Sequence, residues 1–147
     1  MTAEQALNRL RVFLLLFCAF IFTGTVLELL LEDHTEETLQ LIPFALCAFG
    51  IISIVAVLLR PSKMTLTILR VVMLAVAFGG ILGVVLHLNG NVGFEQEIRP
   101  NAAYTEVFLR AFKGGNPLLA PGILAFTAVV AFAATYYHPA FRVTSNE

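Results

Sequence analysis

Charge is scarce in this chain. Only 13% of its 147 residues are Asp, Glu, Lys or Arg, about half the share that a soluble domain carries. Nine basic residues stand against ten acidic ones, for a net charge of −1. No basic stripe interleaves with aromatics, so nucleic acid is excluded as a partner class. Aspartate occurs once, at Asp33, which rules out any Asp-based catalytic pair. Cysteine occurs twice, at Cys18 and Cys47, each within an apolar run and with no CxxC spacing. Both read as packing residues rather than as a redox couple. HExxH, GxSxG, Walker, GxGxxG and CxxCH patterns are absent too, which leaves no recognisable catalytic set.

What fills the space is apolar. Hydrophobic residues make up 59% of the chain, and the mean hydropathy is +0.86. Several runs approach or exceed the ~18 apolar residues that read as a membrane span. Backbone groups cannot stay unpaired in lipid, so runs of this length must be helical. The expected fold is an all-α integral membrane domain, a four-helix bundle covering 1–147, with spans at about 11–32, 39–60, 64–88 and 117–138. Arg9 and Arg11 before the first run resemble the start of a signal peptide, but no small-x-small site follows. An uncleaved first span is therefore expected.

Lysine and arginine bias sets the orientation. Arg9, Arg11, Arg60, Lys63, Arg70 and Arg142 fall on one side, expected to be cytoplasmic, with both termini. Arg99, Arg110 and Lys113 fall on the other, among Glu32, Asp33, Glu36, Glu37, Glu95, Glu97 and Glu106. The outer face is thus acidic, and a bacterial inner membrane is the expected location. Tyr136, Tyr137 and His138 read as an interfacial anchor.

The long outer loop, 89–116, holds Tyr104, Val107, Phe108, Ala111 and Phe112 on one helical face. A short interfacial helix is expected at about 101–113. Asn101 would cap it, Glu106 and Arg110 would pair across one turn, and Gly114-Gly115 would end it. Asn116-Pro117 reads as the cap and first residue of the last span.

Residues 10–29 can be laid on 69–88 without a gap, with eight of twenty positions identical. Leu-Arg-Val opens both segments, and Gly24 meets Gly83. Pro43 and Pro61 likewise meet Pro121 and Pro139. This pattern suggests two parallel-repeat hairpins about an axis along the membrane normal; the alternative is that leucine-rich spans with arginine starts simply look alike. The alignment puts His87 on Glu28, both near the outer edge of the apolar layer.

Ala75, Gly79 and Gly83 lead to His87 along one face of the third span, and Gly24 leads to Glu28 on the first. Small residues at this spacing let helices approach closely, so these positions are expected to pack. At the outer lip Glu28 and His87 form a candidate polar pair, with His34 nearby. A metal bound by His34, His87 and carboxylates among Glu28, Glu32 and Asp33 is the competing reading, but no HxH, HxxxH or ExxH spacing supports it. No motif in the sequence specifies a cofactor.

The function expected from these features is non-catalytic. The chain reads as an accessory or assembly subunit of a larger membrane complex, with the lipid bilayer and other membrane subunits or further copies of itself as partners. The alternatives are a small transporter or channel component, and a membrane protein that binds a ligand, metal or redox cofactor through Glu28, His34 and His87.

Overall fold

The structure, a computed structural model, describes residues 2–141; the expected inner-side Arg142 lies outside them. Among the described residues the chain is helical and has no strands. Helix α1 spans Ala3–Leu31, α2 Ile42–Leu59, α3 Lys63–Ile98, α4 Tyr104–Ala111 and α5 Leu119–Ala134. Among the described residues, three segments are long and apolar enough to cross a membrane: α1, α2 with the 3-10 turn that leads into it (Thr38–Leu59), and α3.

Local chemistry sets most of the boundaries. Thr2 and Gln5 close a capping box at the start of α1, and Ser62 with Thr65 does the same for α3. Each satisfies amides that the first turn leaves unpaired. Pro43 sits in the first turn of α2, where a missing N–H costs nothing. Arg60 ends that helix because Pro61 excludes the helical conformation from the residue before it.

The expected boundaries shift in three places. The third span runs ten residues past Leu88, to Ile98, so 89–98 is helix and not loop. At 36 residues α3 measures about 54 Å, well beyond ~30 Å of hydrocarbon. The fourth expected span, 117–138, contracts to the 16 residues of α5. Neither Asn101 nor Asn116 caps a helix: Ala103 precedes α4 and Leu118 precedes α5.

Helix α4 packs on the end of α3. It turns back along the end of α3. Glu106 in its first turn reaches Arg99 at 3.6 Å, while the Ala111 carbonyl in its last turn accepts from Asn91 at 3.0 Å. Val107 and Ala111 are buried, so α3 and α4 form a helical hairpin beyond the apolar bundle.

Within the bundle, α1 and α3 each pack against both α2 and α5, which is the arrangement that two parallel hairpins would produce. The contacts themselves are asymmetric. A Cβ on Gly83 would lie 2.8 Å from the Pro121 side chain, whereas one on its repeat equivalent Gly24 would meet nothing within 4 Å. Gly24 and Ala75 are both exposed, so within this chain they lie outside the packed seam. A Cβ on Gly79 would press on Leu46.

The closest approach to backbone atoms is at Gly80, which the four-residue spacing passes over. A Cβ there would sit 2.7 Å from the Ala125 amide nitrogen and 2.8 Å from the Pro121 carbonyl. Both are backbone atoms, so relief requires α3 and α5 to separate. Between α1 and α2, Gly50 leaves room for the Phe22 ring, 2.9 Å from where its Cβ would be. Core residues Cys18, Phe22, Cys47, Ile54 and Met73 fill the space between.

Gly80→Ala is expected to destabilise the protein by about 1–3 kcal/mol, the usual cost of overpacking a close contact. Gly24→Ala, facing open space, should leave stability unchanged or slightly raised. Thermal unfolding of both variants in detergent measures the contrast; equal midpoints would contradict the close α3–α5 contact.

Candidate functional site

The chemistry-bearing side chains gather at the two ends of the bundle. At the basic end, Arg11 of α1 is 5% exposed. It donates from one terminal nitrogen to the Tyr136 and Tyr137 carbonyls, at 3.0 and 2.8 Å. Its Nε has no partner among the described residues. Arg70 of α3 donates through Nε to the Thr135 hydroxyl at 2.8 Å and through a terminal nitrogen to the Thr135 carbonyl at 3.1 Å. Its guanidinium lies over the Phe141 ring, 4.3 Å from the centroid, where ring quadrupole and cation attract.

The carbonyls at a helix C-terminus lack intrahelical partners and carry the negative end of the helix dipole. Two cations therefore clamp the end of α5. Tyr137 adopts a left-handed conformation with φ 50°, unusual for a bulky residue, and its carbonyl is one of those that Arg11 holds. Arg11 and Arg70 are equivalent in the repeat alignment, yet both serve α5.

Just past this clamp, His138 accepts a hydrogen bond at Nδ1 from the Ala140 amide. Burial, together with the charges of Arg11 and Arg70, holds its pKa below the usual 6.5. The groove beside it, about 180 Å³, is lined by Arg70, Tyr136, Tyr137 and Phe141.

At the opposite end, Asn91 is 2% exposed and uses three of its hydrogen-bonding positions. It donates to the carbonyls of Ala111 and Asn116 and accepts from the Asn116 amide, all within 3.0 Å. This side chain straps the connection between α4 and α5 onto α3. The sequence pattern puts Asn91 in a polar loop. Its only signal was an asparagine one turn beyond His87, with glycines on both sides.

The expected Glu28–His87 pair does not form. Glu28 is exposed, and among the described residues the ion pairs are those of Arg99 and Arg110. His87 instead bonds the Pro117 carbonyl through Nδ1, at 2.8 Å. The reason lies four residues on. The natural donor to the Pro117 carbonyl would be the amide of residue 121, but Pro121 has none. His87 supplies the missing proton and fixes the entry of α5. Only a ring N–H can face a carbonyl oxygen, so Nδ1 carries a proton and, in the neutral ring, the lone pair is on Nε2.

His34 stands in the connection between α1 and α2, where Asp33 turns left-handed at φ 50° and the His34 amide bonds the Leu29 carbonyl at 3.0 Å. The turn brings the His34 ring to 6.5 Å from that of His87, centre to centre, with the planes 57° apart. The structure thus joins two of the three expected site residues and leaves Glu28 aside. Among the described residues no group of three or more His, Cys, Asp or Glu converges as a ready metal site. The chain matches no family model, no curated protein and no solved structure.

Because the folded state holds His138 below the usual histidine pKa, the unfolded chain takes up its proton first as pH falls. Stability is therefore full above pH 6.5 and declines as the solution is acidified through and below it. His138→Gln should flatten this acid limb in unfolding midpoints recorded from pH 8 to 5. An unchanged slope would contradict the assignment to His138.

Proposed function

We propose that the chain is a non-catalytic accessory or assembly subunit of a larger membrane complex. In this reading α1, α2, α3 and α5 are the four spans. The basic end, with both termini, faces the cytoplasm of a bacterial inner membrane, and the α3–α4 hairpin stands outside.

One observation carries the proposal. Tyr104, Phe108 and Phe112 succeed one another along α4 beside the buried Val107 and Ala111, with ring centroids 6.2 and 5.3 Å apart. They are exposed, as is Leu109 at 68%. Asn91 and the Arg99–Glu106 ion pair hold this hairpin in place. An aromatic ladder on a supported polar-ended hairpin is the type of patch that protein interfaces use, since aromatics contribute most to buried contact.

Two further features favour this reading over transport. The hydroxyls of Thr23, Ser53 and Thr127, within the apolar segments, bond carbonyls of their own helices, so they are taken up locally and do not form a polar path. The spans also show broad apolar faces, with Phe20, Phe49, Phe78 and Phe126 all more than half exposed, as lipid or neighbouring subunits require.

Native Cys18 and Cys47 are fully buried, so introduced thiols report cleanly on topology. Glu36→Cys should react with an impermeant reagent added from outside, and Ser62→Cys should not; the reverse pattern would contradict the orientation. For the partner, the tagged chain should bring down another membrane protein in stoichiometric amount from native membranes in mild detergent. Phe108→Asp should abolish that association while leaving the unfolding midpoint intact. A lone monomer, or association only with further copies of itself, would contradict the accessory role.

A further inference from the structure

We infer that His34 and His87 form a two-histidine site for a divalent transition-metal ion such as Cu2+ or Zn2+. The site is independent of the aromatic ladder on α4.

Three observations support it. First, His87 is prepared as a ligand. Its Nδ1–H is committed to the Pro117 carbonyl at 2.8 Å, which fixes the ring and leaves the Nε2 lone pair available. Metal-binding histidines commonly donate their other ring N–H to a carbonyl or carboxylate, because this fixes the tautomer and raises the basicity of the coordinating nitrogen.

Second, the spacing suits a shared ion. With metal–nitrogen bonds of about 2.0–2.1 Å, two imidazoles on one ion have ring centres roughly 5–6.5 Å apart, from tetrahedral to opposed ligands. The observed 6.5 Å lies at the wide end of that range, so one ion can bridge the two rings once the His34 ring turns its nitrogen toward His87. That ring makes no hydrogen bond among the described residues that would resist it.

Third, both rings are half-buried, so each is shielded on one side and still open to solvent and ions. Water supplies the remaining coordination positions, since no third protein donor converges. Imidazole ligands suit Zn2+ and Cu2+, with Cu2+ the tighter of the two in the general affinity order.

The chain contains three histidines, and the third, His138, lies at the basic end of the bundle, which makes it an internal control. The test uses the full-length protein in detergent, purified through a tag that contains no histidine. Titration calorimetry with Cu2+ and with Zn2+ should give one ion per chain at micromolar affinity, and the Cu2+ complex should show nitrogen hyperfine coupling in its electron paramagnetic resonance spectrum. His34→Ala should weaken binding at least tenfold. His87→Asn keeps a side-chain N–H for the Pro117 carbonyl but removes the ligating nitrogen; it should weaken binding to the same extent with little change in melting temperature. His138→Gln should bind as the wild type does. Absence of micromolar binding, or affinity that survives both the His34 and His87 substitutions, would overturn the site.

Discussion

The structure depends on how α5 ends. At 16 residues it is about 24 Å long, shorter than α1 and α3, which pack against it. The turn that follows it, 135–137, leaves carbonyls beyond the helix's own ladder of hydrogen bonds. Arg11 and Arg70 meet the carbonyls of Thr135, Tyr136 and Tyr137 directly. The arrangement also accounts for a nearly buried arginine in an apolar bundle, because a buried charge persists only where hydrogen bonds and opposite charge compensate its desolvation. The negative end of the α5 dipole provides both.

The other end of α5 is solved by different means. Pro121 strips the Pro117 carbonyl of its natural donor, and His87 replaces it. One turn further along α3, Asn91 takes both polar groups of the Asn116 backbone. Gly80 then allows α5 to lie against α3 with backbone nearly touching backbone. α3 therefore meets α5 from start to finish, with Arg11 of α1 joining it at the last turn, and the far end of α3 is what positions the α4 hairpin. The proposed metal ligand His87 and the proposed docking ladder are both consequences of this one long helix.

Much of this was legible in sequence and some was not, for physical reasons. Helix content and the long apolar segments follow from hydropathy alone. The Glu106–Arg110 contact, 3.0 Å in the structure, follows from one-turn spacing. The end of α3 was misread because Asn89-Gly90-Asn91 with Gly93 has turn composition; the helix continues because Asn91 is satisfied by tertiary partners that no local pattern reveals. The small-residue seam was read as a strict four-residue stripe, which included exposed Ala75 and missed Gly80. Spacing fixes which residues share a face but not which face meets a neighbour. Arg11 and Arg70 were visible as a repeated Leu-Arg-Val and were read as topology signals. Their shared target is the end of a distant helix, which sequence adjacency does not encode. The same holds for His87, whose partner is explained by a proline 34 positions away.

The clamp on α5 can be measured directly by amide hydrogen exchange on wild type and Arg11→Met in the same detergent. Methionine keeps the apolar stem and removes the donors, so the change isolates the bonds to Tyr136 and Tyr137. Faster exchange across residues 132–141, with α4 protected as in wild type, is the result that the account predicts. Unchanged protection at 132–141 in a folded Arg11→Met protein would contradict it.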